Sequence, residues 1–288
     1  MNANEPADDD VRAVVGRVAE SRRYRAVDPA VVRRLASEEL RRARGPDDAV
    51  KRVKRRLHQA VGAYRTSAAG GAIDRDIERL TAASQGDRSG GELRAVCRDL
   101  LARHASTRER LPFLDRFYTT IWDAIGGAPA SLLDLGCGLA PLALPWMQLP
   151  ASATYHAIDA DSRAIRLVDA FLSLVGRPHV AEARDLAGEV DLPAVDVALL
   201  LKLVPILDRQ DPAASVRLLR SLAVRHMVVS FPIRSLGGRG RGMETTYRRR
   251  LEALLRDLDP RVRRVTEASV PNELVVVLTL SREHPADA

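Results

Sequence analysis

Apolar residues recur at helical spacing through the first part of the chain. Val31, Val32, Leu35 and Leu40 form one such set, and Val50, Val53, Leu57, Val61 and Tyr64 form the next. No strand-like alternation interrupts the pattern between about residues 28 and 122. Gly45-Pro46, Gly70-Gly71 and the glycines from 86 to 91 divide it into short units. The run Gly126-Gly127-Ala128-Pro129 then reads as a linker. The pattern predicts an all-helical domain over residues 1–127 and a second domain over residues 128–288.

In the second part the apolar runs shorten to strand length. Candidate strands cover residues 131–135, 154–159, 179–183, 196–201, 226–231, 264–268 and 273–280. Amphipathic helical stretches separate most of the earlier ones. Such alternation predicts an α/β fold, a doubly wound Rossmann-like parallel sheet, with the last two strands closing an antiparallel edge. Asp211-Pro212 reads as the N-cap and first residue of the helix after the fourth strand.

The sharpest local signal is Leu132-Leu133-Asp134-Leu135-Gly136-Cys137-Gly138, a buried strand running into a glycine turn. Glycine lets backbone approach a ligand closely, and this turn falls at the carboxyl edge of the sheet, where ligands of doubly wound folds bind. Asp159 closes the next strand and is placed to accept from ribose hydroxyls. A tight connection and a loop carboxylate are the plain alternatives; strand, turn and spacing together favour the ligand site. Gly138 is followed by Leu139, Ala140 and Pro141, so the full G-x-G-x-x-G that cradles a pyrophosphate is missing. An adenosine without phosphate fits better, which points to S-adenosylmethionine. Asp185-Leu186, after the third strand, would then lie near the adenine, although a loop or N-cap aspartate explains Asp185 equally well.

Charge adds a second partner. The chain has 288 residues, 45 basic against 38 acidic, and a net charge of +7, which suits a polyanion. Only Lys51, Lys54 and Lys202 are lysines; a GC-rich genome, whose codons favour arginine whatever the function, is the plain alternative explanation of that bias. One basic block comprises Arg41, Arg42, Arg44, Lys51, Arg52, Lys54, Arg55 and Arg56, read as a phosphate-contacting face or else a solvated one. Another is Arg234, Arg239 and Arg241 in a glycine-rich loop, followed by Arg248, Arg249 and Arg250. Lys202, at the end of the fourth strand, is read as a phosphate or target-base contact. The best apolar run, residues 195–207, is interrupted by Asp196 and Lys202, so no membrane span is expected. The acidic N-terminus does not read as a secretory signal, and a cytoplasmic protein is expected. Two cysteines give no disulfide framework, and six scattered histidines no zinc spacing, so no metal is expected.

Taken together, several segments make the chain resemble the aminoglycoside-resistance 16S ribosomal RNA methyltransferases, which modify N7 of guanine 1405. They are His104-Ala105-Ser106-Thr107-Arg108-Glu109-Arg110-Leu111-Pro112, Asp134 to Leu139, Leu199 to Gln210, and Val228 to Met243 with its Ser-Phe-Pro and Ser-Leu-Gly-Gly-Arg-Gly elements. Ala140 departs from the family, where asparagine is expected before the proline. The resemblance implies a cofactor site for S-adenosyl-L-methionine made by His104, Ala105, Ser106, Arg110, Gly136, Asp159, Asp185, Leu186, Leu201 and Gln210, with Gly138 added by the turn itself. It also implies 16S rRNA in the 30S subunit as partner and resistance to drugs such as kanamycin and gentamicin. Ser106 and Glu109 have the spacing of a capping box. Arg110 is placed to pair with the methionyl carboxylate of the cofactor. No general base is expected, because guanine N7 carries no proton to remove. Two rival readings are a small-molecule methyltransferase of antibiotic biosynthesis, which would not need the basic helices, and a non-catalytic RNA-binding regulator, against which the intact glycine turn and carboxylates speak.

Overall fold

A computed structural model describes residues 6–59, 73–86, 90–233 and 242–281. Three helices come first: α1 (Asp8–Ala19), α2 (Pro29–Leu40) and α3 (Pro46–Leu57). Proline begins α2 and α3, and the Asp28 carboxylate caps α2 by accepting from the Ala30 N–H at 2.8 Å. In α3, Asp47 and Asp48 occupy the first turn and Lys54, Arg55 and Arg56 the last, the order that suits a helix dipole. The apolar stripes of the three helices pack chiefly on one another, Val14, Val18, Leu35, Val53 and Leu57 being fully buried in a core of their own that Ala160 of the sheet half also touches.

The next helices belong elsewhere. In α4 (Ile73–Gly86), α5 (Gly91–Leu101) and α7 (Leu114–Ile125), the residues Leu80, Leu100, Phe117, Tyr118 and Ile121 share one core with Tyr155, Val168 and Phe171 from the sheet half. The apolar cores therefore part between α3 and α4, upstream of the linker expected at residue 127. Periodicity identifies a helix and its apolar face, but says nothing of which body that face meets. Val61, Tyr64 and Gly70-Gly71 lie outside the described residues.

The described strands are β1 (Ser131–Leu135), β2 (Thr154–Asp159), β3 (His179–Ala183), β4 (Val195–Leu201), β5 (Val224–Pro232), β6 (Val262–Val270) and β7 (Glu273–Leu280), joined in the order β3-β2-β1-β4-β5-β7-β6. The first five run parallel; β7 is antiparallel to β5 and β6 to β7, as the sequence predicted. Alternate residues face opposite layers. Leu132, Val197 and Leu199 join α7 and α9 (Ser162–Leu174), while Leu133, Leu135, Ala198 and Leu200 face α11 (Ala214–Ser221) and α12 (Met243–Leu258).

One helix start was misplaced. After β4 the chain enters α10 (Val204–Gln210), and Asp211-Pro212 forms the turn that follows, with Asp211 accepting from the Ala213 N–H, so that α11 starts at Ala214. The added helix begins inside the apolar run 195–207, beyond the strand expected over 196–201, where a continuous apolar run does not distinguish helix from strand. No described helix is long and apolar enough to cross a membrane.

Candidate functional site

At the carboxyl ends of β1, β2 and β4, where the strand order reverses direction, lies a cavity of about 150 Å³. Its floor is the glycine turn after β1. Gly136 has φ +65° and Gly138 φ +51°, and a Cβ at Gly136 would come within 2.8 Å of Leu203 Cδ1. Conformation thus favours glycine at both positions, and at Gly136 a Cβ would also have to displace the Leu203 side chain. The Gly138 N–H donates to Asp159 Oδ2, and the Asp161 N–H to Asp159 Oδ1, each at 2.8 Å. The turn and the Asp159 carboxylate are one unit, held at the cavity wall.

His104, Ser106, Gly136, Gly138, Asp159, Asp185, Leu186, Leu201, Lys202 and Gln210 all line this cavity. The fold thus brings together ten expected positions, eight of them thirty or more residues from His104 and Ser106 in the chain. Ala105 is buried beneath the wall and does not line it. Leu203, Ile206 and Leu207, which lie within the segment 199–210 but were not singled out, supply apolar wall from α10 and the loop before it.

Two expectations from the segment 104–110 are corrected. The capping box does not form: α6 (Ala105–Arg108) starts without a side-chain cap, the Ser106 hydroxyl meets His104 Nδ1 at 2.8 Å, and Glu109 is ion-paired with Lys202. Lys202 is only 2% exposed, and a buried ammonium needs a counter-charge more than a surface helix needs a cap. Arg110, 2% exposed, does not line the cavity either. Its Nε and Nη2 donate to the two oxygens of Glu273 at 2.7 and 3.0 Å, and its guanidinium lies 4.6 Å from the Phe117 ring centre. It is therefore not placed to meet a cofactor carboxylate. The partner sits 163 residues away, out of reach of any spacing argument.

Glu273 also accepts from Ser230 Oγ at 2.9 Å and pairs with Lys202 Nζ at 3.1 Å. Burial opposes its ionisation, but Arg110 and Lys202 win and hold its carboxyl below the usual range. Lys202 keeps a left-handed backbone, φ +61°, with its N–H donating to Ser230 Oγ. Such strain in a lysine at a cavity wall is typical of a functional position. Nearby, Asp134 is 1% exposed and accepts from the Tyr155 hydroxyl at 2.7 Å. Burial, with the charge of Asp159 behind it, pushes the Asp134 carboxyl up to about 7 against the opposing pull of Tyr155 and Arg110. Burial likewise raises the Cys137 thiol well above its usual range, so it is inert as a nucleophile.

A further residue at the site went unseen in the sequence. Arg34, on α2, donates to Asp185 through Nε (2.6 Å) and Nη2 (3.0 Å), and Nη2 also donates to Gln210 Oε1 at 2.9 Å. Arg56 on α3 donates to the Gln210 carbonyl. The Asp28 N–H donates to the Ala160 carbonyl at 2.7 Å, Val27 bridges Asp161, and Val31 lines the cavity. The three-helix unit is therefore stitched to one wall of the site. One arginine among 42, separated from Asp185 by 151 residues, carries no signal in the sequence.

The basic blocks divide in the same way. Arg41, Arg42, Arg44, Lys51 and Arg55 are exposed and Lys54 half-buried, whereas Arg52 pairs with Glu39 and Arg56 with both Glu38 and Glu39. Arg248 pairs with Glu244 and Glu267, and Arg250 with Asp208, leaving Arg249 the exposed one of its triplet. Arg234, Arg239 and Arg241 lie outside the described residues.

A doubly wound sheet with an antiparallel edge, a glycine turn without the pyrophosphate fingerprint and a carboxylate fixed at the end of β2 together define the Rossmann-like methyltransferase class. Within it, the chain belongs to the ribosomal RNA methyltransferase (FmrO) family, whose model matches residues 20–277. It is 41% identical to the 16S rRNA (guanine(1405)-N(7))-methyltransferase of Frankia casuarinae, over 96% of this chain and 95% of that protein. The enzyme of the same name from Micromonospora echinospora is 39% identical over 94% of this chain and 97% of its own. Among solved structures, the 16S rRNA methyltransferase RmtF in complex with S-adenosyl-L-homocysteine superposes with a TM-score of 0.78 at 35% identity, covering 96% of this chain and all of that one.

Proposed function

We propose that this chain methylates N7 of guanine 1405 in the 16S rRNA of the 30S subunit, using S-adenosyl-L-methionine, and thereby confers resistance to aminoglycosides such as kanamycin and gentamicin. The observation that carries this reading is that similarity to the guanine-1405 enzymes spans nearly the whole chain while the cavity keeps its glycine turn and carboxylates. The cavity residues fit the cofactor. Gly136 and Gly138 leave room for close approach, Asp159 suits ribose hydroxyls, Asp185 and Gln210 suit the polar edge of adenine, and Leu186 and Leu207 are among the apolar lining available to its ring. Arg110 does not line the cavity, so the methionyl end is assigned to Arg103 and Ser106, which do, Arg103 being held in place by Asp76 at 2.7 Å and Asp99 at 3.2 Å.

Bound there, the cofactor supplies an electrophilic methyl group on a sulfonium. Guanine N7 offers a lone pair and no proton, so the chain need not remove one; it has to hold nucleophile and methyl in near-attack geometry. Lys202 lines the cavity, but its ammonium is held by Glu109 and Glu273, so its part is to order the wall beside the target base rather than to reach a phosphate. N7 lies in the deep, narrow groove of an A-form helix, so the base has to leave its stack, and the exposed arginines and lysines of α2 and α3 provide the grip on phosphates while it does.

The test is mass spectrometry and primer extension of 16S rRNA from cells with and without the protein, beside growth on kanamycin and gentamicin. Expected is one new 7-methylguanine at position 1405 and growth on both drugs. Unmodified rRNA, or a methyl group on another atom or nucleotide, would overturn the reading.

A further inference from the structure

Arg34 does more than join two bodies. Four of its N–H groups are engaged: Nε and Nη2 on Asp185, Nη2 on Gln210 Oε1 and Nη1 on Glu38 Oε1 at 3.1 Å. Guanidinium is donor only, and that dictates the polarity of what it touches. Gln210 must turn its carbonyl oxygen to Arg34, so the group it has left to offer is its amide NH₂. Asp185 must stay an acceptor. Its Oδ1 already takes two hydrogens, from Arg34 Nη2 and from the Ala187 N–H at 3.1 Å, whereas Oδ2 takes one and retains a lone pair.

We infer that Arg34 of the helical unit sets the base specificity of the cofactor site, by fixing an acceptor (Asp185 Oδ2) beside a donor (the Gln210 amide) in the pattern that complements the Watson–Crick edge of adenine. The inference rests on the cofactor reading above. Adenine presents an amino group that donates and, next to it, N1 that accepts. Hypoxanthine presents the inverse, a carbonyl oxygen and an N1–H. Against it, Asp185 would face an acceptor and Gln210 a donor. A site whose polar groups are fixed in this way rejects the inverted pattern strongly, because buried groups are left unpaired. Asp185 and Gln210 are bonded to one and the same nitrogen of Arg34, at 3.0 and 2.9 Å, so both are set by a single rigid group. Since that group comes from α2, adenine recognition is completed by the helices that also carry the exposed basic face.

The test compares binding of S-adenosylhomocysteine and its 6-oxo analogue S-inosylhomocysteine by calorimetry, in the full-length chain and in Arg34→Gln, Arg34→Lys and Gln210→Ala. Glutamine can donate or accept and no longer dictates polarity; lysine is again donor only. The unaltered chain should prefer the adenine compound by on the order of 100-fold, the range expected of unpaired buried polar groups. In Arg34→Gln the preference should fall to a few-fold, with affinity for the adenine compound down about tenfold, and Arg34→Lys should restore part of the preference. If Arg34→Gln does not fold, Gln210→Ala, at a half-buried position at the end of α10, should still lower the preference. A preference unchanged in Arg34→Gln and Gln210→Ala, or equal binding of both compounds by the unaltered chain, overturns the role of Arg34 while leaving the cofactor reading standing. Binding of neither compound by the unaltered chain removes the cofactor reading, and this inference with it.

Discussion

Two carboxylates 25 positions apart, Asp134 and Asp159, show how environment divides chemically equal residues. Asp159 is held at the cavity wall by two backbone N–H groups, and we expect Asp159→Ala to weaken S-adenosylhomocysteine binding by at least ~1 kcal/mol, about fivefold, since ribose hydroxyls would lose a charged acceptor. Unchanged binding by calorimetry would remove Asp159 from the site. Asp134 is enclosed on all sides, and its carboxyl is raised to about 7 by burial. A raised carboxyl favours the folded state while it stays protonated. Its contribution is therefore complete below the ordinary aspartate range and is lost as the pH climbs from about 4 through about 7, with a slope near 1.4 kcal/mol per pH unit between those limits. Asp134→Asn keeps an acceptor for the Tyr155 hydroxyl and has nothing to titrate. Urea denaturation from pH 5 to pH 8 should show the unaltered protein losing stability relative to Asp134→Asn as pH rises; parallel pH profiles would refute the assignment.

Among the elements, α3 separates a charge that holds the protein together from a charge that faces outward. Lys51 and Arg55, one turn apart, are exposed, whereas Arg52 and Arg56 lie on the adjoining side against Glu38 and Glu39 of α2. Reversing Lys51 and Arg55 to glutamate should leave the melting temperature and cofactor affinity near their original values and lower the salt dependence of 30S binding by about two phosphate contacts. Reversing Arg52 and Arg56 would set four carboxylates face to face and should instead lower the melting temperature. Similar outcomes for the two pairs would deny that they differ. Composition and spacing mark all four residues as one basic block; only the partner helix sorts them.

For the molecule as a whole, the relation between the three-helix unit and the sheet is the decisive feature, because the unit carries exposed basic residues and also Arg34, which is bonded to the cavity residues Asp185 and Gln210. A rigid ribosomal surface can engage that unit and the edge of the catalytic cavity together, and linked contacts reinforce one another. Assembled 30S subunits should accordingly be methylated much faster than naked 16S rRNA in single-turnover assays, whereas equal rates would show that recognition needs no assembled surface. The sheet itself was legible beforehand. All seven strands, their direction and the ligand-binding turn at residues 132–138 follow from short apolar runs, β-branched residues and glycine, because strand pattern and turn chemistry are local properties. From spacing alone the site was legible only where a residue sits at or just past a strand end, as Gly136, Asp159 and Asp185 do, whereas His104, Ser106 and Gln210 were indicated by the family resemblance. What the helices pack against, where Arg110 points, what neutralises Lys202 and which arginine reaches Asp185 were decided by tertiary structure. Each depends on charges or apolar faces brought together across some 90 to 160 residues of chain, and a buried charge takes the partner that the fold places within a few ångströms, wherever that partner lies in the sequence.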